Sequence, residues 1–152
     1  IDHILGNDYV SETYDLPLSA HVDGLVYLAN ALEYAQSFGL KLGKVCQPTR
    51  FLEDGQTIPF GQSKLKVLHT PGHALGSVCF LSEEDGFVIA GDVLFYQSIG
   101  RTDLPGGDYD VLKQSIWEKL FVLPDDTVVY PGHGPETTIG SEKESNPFVA
   151  IG

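Results

Sequence analysis

Three times in this chain an apolar run breaks at a turn containing glycine, and each time a histidine or aspartate directly follows the glycine. Val67-Leu68-His69 runs into Thr70-Pro71-Gly72-His73, Phe87-Val88-Ile89-Ala90 into Gly91-Asp92, and Val128-Val129-Tyr130 into Pro131-Gly132-His133-Gly134-Pro135. Short apolar runs rich in β-branched and aromatic residues, bounded by glycine and proline, read as strands. Glycine turns the backbone sharply without a Cβ penalty, so the next side chain can aim into a shared site. If these strands lie side by side and run the same way, His73, Asp92 and His133 converge at one sheet edge. Imidazole and carboxylate are good ligands for zinc and related first-row metals, and the two oxygens of Asp92 can touch two ions at once. Each residue alone has a plainer reading, as a turn histidine, a capping aspartate or part of a rigid loop. The repetition in one setting outweighs those readings.

Around these motifs the chain reads as one α/β domain over residues 1–152. Leu25, Leu28, Leu32 and Ala35 recur at spacings of three and four, which predicts a helix over residues 23–38 with Asp23 as N-cap and Gly39 as stop. A hairpin is expected around Asp54-Gly55 and Phe60-Gly61-Gln62-Ser63, leading into a strand over 65–69. Further strands are predicted at 78–82, 87–90 and 127–130. A second helix over 108–121 would open at Asp108 and bury Tyr109, Leu112, Ile116 and Leu120. Each helix has one apolar stripe, so each should cover a sheet face. His69, on its strand, reads as structural, and His21 as a surface or capping residue.

Composition narrows the function classes. With 21 acidic and nine basic residues, the formal net charge is −12. Such a surface repels phosphate backbones, which argues against nucleic acid as a partner. No stretch approaches the roughly 20 apolar residues of a membrane span, so no membrane partner is expected. Ile1-Asp2-His3 has neither the basic nor the apolar region of a secretory signal. Cys46 and Cys79 have no cysteine partner at zinc-ligand spacing, and Cys79 lies in an apolar run. A cytoplasmic setting is the default expectation.

Thr70-Pro71-Gly72-His73, Gly91-Asp92 and Pro131-Gly132-His133-Gly134-Pro135, taken in order, resemble the later motifs of the metallo-β-lactamase superfamily. Ile1-Asp2-His3 resembles the tail of that family's first motif, Thr-His-X-His-X-Asp-His. Gly100-Arg101-Thr102-Asp103 and Asn146-Pro147-Phe148 extend the likeness to the glyoxalase II-like branch. The resemblance implies an αββα sandwich, here without its opening strands and without the two histidines of the first motif half. It implies two divalent metal ions, zinc first, with iron or manganese as alternatives. Asp2, His3 and His133 match ligands of the second position, His73 matches a ligand of the first, and Asp92 matches the bridging carboxylate. Asp2 and Asp92 are the residues expected in catalysis. Arg101 is a weaker candidate, either orienting Asp103 or meeting a substrate anion. The implied activity is hydrolysis of a small thioester or ester by a metal-bridging hydroxide, which agrees with the absence of any Gly-X-Ser-X-Gly elbow. The alternatives are a persulfide dioxygenase-like mononuclear iron enzyme and a non-catalytic metal-binding fragment. Missing strands would also leave an open sheet edge suited to self-association.

Overall fold

Helix-forming residues ahead of the first glycine-turn motif fold into short pieces in a computed structural model, which describes residues 2–151. The described residues form two compact units, one up to Leu52 and one from Glu53 onward. In the first unit, α1 (Asn7–Tyr14) ends at Asp15, whose φ of 51° turns the chain while its amide bonds back to the Ser11 carbonyl. Strand β1 (Ser19–His21) leads through a 3-10 turn into α2 (Leu25–Ala29) and α3 (Ala31–Ser37). Strand β2 (Arg50–Leu52) then pairs with β1 in parallel.

The helix predicted over 23–38 is therefore two helices. The Asn30 side chain donates to the Val26 carbonyl at 2.8 Å, taking the acceptor that a continuing helix would give to the Asn30 backbone amide. Asp23 is not the cap. The His21 Nδ1 accepts from the Asp23 amide at 3.3 Å, which makes His21 the capping residue. Leu28 and Ala35 are buried as the spacing predicts, but Leu32 is exposed, because the break at Asn30 rotates the second piece.

The second unit is built on one mixed sheet. It comprises β3 (Thr57–Phe60), β4 (Ser63–His69), β5 (Val78–Ser82) and β6 (Phe87–Gly91), then the small hairpin β7 (Leu94–Phe95) and β8 (Ser98–Ile99) outside the main sheet. There follow α4 (Tyr109–Ser115), a π-helical turn (Ile116–Leu120), β9 (Val128–Pro131), β10 (Thr137–Thr138) and α5 (Ile139–Ser145). The six strands lie in the order β10-β9-β6-β5-β4-β3, antiparallel at every step except β6 with β9. Strands β4, β6 and β9 consequently point the same way, as expected. They are not all neighbours, however, since β5 separates β4 from β6.

One face of this sheet carries the core. Leu68, Cys79, Leu81, Val88 and Val129 share a cluster with Leu112, Ile116, Leu120 and Ile139 from the helical segments. Burying each leucine or isoleucine contributes about 1.5–3 kcal/mol relative to leaving it in water. Asp108 opens α4 as predicted, its carboxylate accepting from the Val111 amide at 3.0 Å. Tyr109 is not part of the buried stripe: it is exposed, and its hydroxyl donates to the Phe148 carbonyl. The segment beyond Ser115 widens from α into π geometry without displacing Ile116 or Leu120 from the core. The mixed sheet flanked by helices is the α/β architecture of the αββα class. Among the described residues no helix is long and apolar enough to cross a membrane.

Candidate metal centre

The ends of β4, β6 and β9 open onto one edge of the sheet, and there the second unit brings three of the predicted residues together. His73 Nε2 lies 3.6 Å from Asp92 Oδ2, and His133 Nε2 lies 3.7 Å from Asp92 Oδ1. The two histidines thus face different oxygens of one carboxylate. With bonds of about 2.0–2.2 Å, two ligand atoms on a tetrahedral ion stand about 3.4 Å apart, so both separations suit atoms that share an ion. The donor set fits a divalent metal on geometry as well as on residue type. Asp92 and His73 are largely shielded, at 18% and 20% side-chain exposure, while His133 is 59% exposed and leaves the centre open to solvent on its side.

Each side chain is positioned by identifiable contacts. Gly72 has a φ of 124°, and a Cβ there would lie 2.2 Å from the Leu112 amide nitrogen. The turn before His73 therefore needs glycine for its conformation and for the close approach of α4. Helix α4 also holds that turn through the Asp108 amide on the Gly72 carbonyl and the Ser115 hydroxyl on the Pro71 carbonyl, both at 2.8 Å. His73 Nδ1 lies 2.8 Å from the Arg101 carbonyl oxygen. A carbonyl only accepts, so Nδ1 carries the proton and Nε2 presents its lone pair on the Asp92 side. His133 packs edge-on against Phe95, ring centroids 6.4 Å apart.

Just upstream, Asp54 holds the end of β4. It accepts from the His69 amide at 2.8 Å and from Lys119 at 2.6 Å. Burial pushes the Asp54 carboxyl up, but the Lys119 and His69 bonds outweigh it and hold the group below its ordinary value. His69 Nε2 bonds with the Leu75 carbonyl at 2.9 Å, in keeping with its structural reading.

Asp2 and His3 belong to the first unit, next to each other with Oδ2 and Nε2 3.7 Å apart and both exposed. Arg101 forks onto Asp103 with two bonds of 2.7 Å, and that guanidinium pulls the Asp103 carboxyl down to about 2. The part of Arg101 turned to the centre is its carbonyl. Sequence reasoning singled out its side chain and missed both the carbonyl and Gly100. A Cβ on Gly100 would lie 1.9 Å from the Asp92 carbonyl oxygen and 3.1 Å from the His73 Cβ. The resemblance at Gly100-Arg101-Thr102-Asp103 was the available signal, but no periodicity reports a backbone acceptor.

Comparison with known proteins agrees with this geometry. The profile of the metallo-beta-lactamase superfamily matches residues 1–133. The Bacillus subtilis protein YqgX, named as a probable metallo-hydrolase, is 40% identical across 97% of this chain and 71% of its own length. The hydroxyacylglutathione hydrolase GloC of Haemophilus influenzae is 45% identical over 118 residues, which is 77% of this chain and 56% of GloC. A crystal structure of TTHA1623 in a di-iron-bound form is 42% identical, with a TM-score of 0.88 over 97% of this chain and 72% of that one.

Proposed function

This chain belongs to the metallo-beta-lactamase superfamily, and from that premise we propose that it is a dinuclear metal-dependent hydrolase of small thioesters or esters, of the glyoxalase II-like branch. Fold and motifs support a hydrolase-type metalloenzyme. The observation that carries the reading is Asp92, whose two oxygens each face a different histidine at 3.6 and 3.7 Å. Divalent ions in such a centre supply a nucleophile from water near neutral pH and polarise the carbonyl under attack. Within this reading His73, Asp92 and His133 would hold the ions, the Asp92 carboxylate serving both positions, and Asp2 and His3 are the further ligands that the family's first motif implies. The proton on His73 Nδ1 stays with the Arg101 carbonyl, keeping Nε2 available as a ligand. The branch reading draws support from the likeness to GloC, a hydrolase of hydroxyacylglutathione. Zinc suits the nitrogen and oxygen donors, and the likeness to a di-iron-bound structure supports iron as the second candidate.

For the first metal position the sequence supplies His73 and Asp92, whereas catalytic zinc typically has three protein ligands plus water. The reading takes the further histidines from the Thr-His-X-His segment of the family's first motif, which residues 1–152 do not include. The test compares residues 1–152 with a form extended by that segment, measuring bound metal by mass spectrometry and thioester cleavage under argon. The extended form should bind two equivalents and cleave faster, with activity lost on chelation and restored by zinc or iron. Cleavage that survives complete metal removal, or turnover that requires oxygen, overturns the proposal.

A further inference from the structure

Glu142 is fully buried, yet no step of the proposed hydrolysis uses it. Its carboxylate is held by three neutral donors. Oε1 accepts from the Thr137 hydroxyl at 2.6 Å, and Oε2 accepts from the Asn146 side-chain amide at 2.6 Å and the Gln97 backbone amide at 3.1 Å. The same Asn146 amide donates to the Ser98 carbonyl at 3.1 Å, while its Oδ1 accepts from the Phe148 amide. Both ends of Asn146 are committed, and two successive residues of the β7–β8 hairpin are tied to α5 and the segment after it.

The turn is not a relaxed one. Gln97 has a φ of 54°, a left-handed conformation that a residue other than glycine keeps only where its surroundings enforce it. The Gln97 amide on Glu142 and its side chain on the Ser145 hydroxyl supply that enforcement. From this anchored end the chain runs only four residues to Arg101. Along the way the Gly100 amide bonds to the Val93 carbonyl at 3.3 Å, and Gly100 lies flat against the Asp92 carbonyl and the His73 Cβ. At the far end the Arg101 carbonyl accepts the His73 Nδ1 proton at 2.8 Å.

We propose that Glu142, acting with Asn146, is a positioning residue for the metal centre: its buried carboxylate anchors the strap 97–101, which orients His73 and backs Asp92. This rests on the reading of His73 and Asp92 as metal ligands. A glutamine at 142 preserves the arrangement, because its oxygen replaces Oε2 and its amide donates to the Thr137 hydroxyl, which turns to accept. A leucine removes both acceptors and leaves three donors buried and unsatisfied. The strap then loses its anchor and the His73 ring its fixed orientation. Partners that orient a metal-bound histidine are worth about 10–100-fold in metal affinity, and that is the scale expected here.

The test measures cobalt(II) affinity and the cobalt visible absorption of Glu142→Leu, Glu142→Gln and Asn146→Ala, with Leu120→Ala as a core control outside the strap. A second readout is the exchange protection of the His73 Nδ1 proton in the metal-free protein, followed by NMR. Glu142→Leu and Asn146→Ala should bind cobalt about 10–100-fold more weakly, shift its absorption and lose the protected proton. Glu142→Gln and Leu120→Ala should retain all three. Asn146→Ala carries the test if Glu142→Leu does not fold. Wild-type affinity and an intact His73 signal in Asn146→Ala or a folded Glu142→Leu overturn the proposal, as does an equal loss in Leu120→Ala. If wild type takes up no cobalt while the leucine variant still loses the His73 signal, the metal reading fails and the coupling of Glu142 to His73 stands.

Discussion

The two units of this chain put their apolar residues to different use. In residues 53–151 the leucine, isoleucine and valine side chains of five strands and three helical segments bury one another, and Val88, Leu112, Ile116 and Val129 are fully enclosed. In residues 2–52 the buried apolar residues are Leu28, Ala31, Ala35 and Leu52, while Tyr9, Tyr14, Phe38 and Phe51 are more than half exposed. A six-stranded sheet fixes side chains through many cooperative contacts, whereas short helices and a two-stranded ribbon fix few. The contrast matters for the predicted ligands, because His73, Asp92 and His133 are carried by the first kind of structure and Asp2 and His3 by the second. Ligands on a rigid sheet edge are held in place before metal arrives; those on short, sparsely buried elements are ordered at the expense of binding energy.

The sharpest way to break this contrast is to remove ligands from each side. Asp92→Ala should lower metal affinity by more than about 100-fold, since even outlying partners of a ligand are worth about 10–100-fold. Asp2→Ala should lose less, and competition against a chelating dye measures both. Equal losses would mean that the sheet confers no advantage. Stability offers the next test. Leu112→Ala, at a fully buried position, should cost about 2–5 kcal/mol in urea unfolding. Leu32→Ala, at a position 47% exposed, should stay within about 0.5 kcal/mol.

Thiol reactivity sharpens the comparison further. Burial pushes the Cys79 thiol up to about 12, and its Sγ contacts the Thr70 hydroxyl and the Ala90 carbonyl. Cys46 is partly exposed. A disulfide reagent at about pH 8 should therefore modify one thiol in the native protein and two after denaturation, because only an accessible thiolate attacks. Rapid modification of both in the native state would show that the sheet opens readily. The smallest effect is expected at Asp103, whose carboxyl should titrate near 2 in NMR. A depressed carboxyl contributes stability that is present above its ordinary value of 3.8 and is lost as pH falls through about 2. Arg101→Gln should raise that titration towards 3.8 with little change in melting temperature, since the pair is solvent-exposed. An unchanged Asp103 titration would remove the Arg101 fork as its cause.

Local chemistry alone determined a good deal. Strands at 78–82 and 87–90, the Asp108 cap and the burial of Leu112, Ile116 and Leu120 follow from period, propensity and turn residues, which act over a few neighbours. The strand–glycine–ligand repeats likewise mark His73, Asp92 and His133 as candidates from spacing alone. Other features had no local sign. The break at Asn30 depends on one side chain competing for a carbonyl four residues back, and Leu32 became exposed as a result. The short strands β7, β8 and β10 have two residues each, too few for a period to register. Above all, the Arg101 carbonyl on His73, the fit of Gly100 against Asp92 and the anchoring of Gln97 by Glu142 join residues 28 and 45 positions apart in two of these contacts. Such contacts exist only when the sheet order β9-β6-β5-β4 has brought distant segments to one edge. Sequence decides which residues are chemically able to bind a metal; tertiary structure decides which carbonyl, glycine and buried carboxylate hold them still, because hydrogen bonding and close packing depend on positions in space that spacing along a chain does not encode.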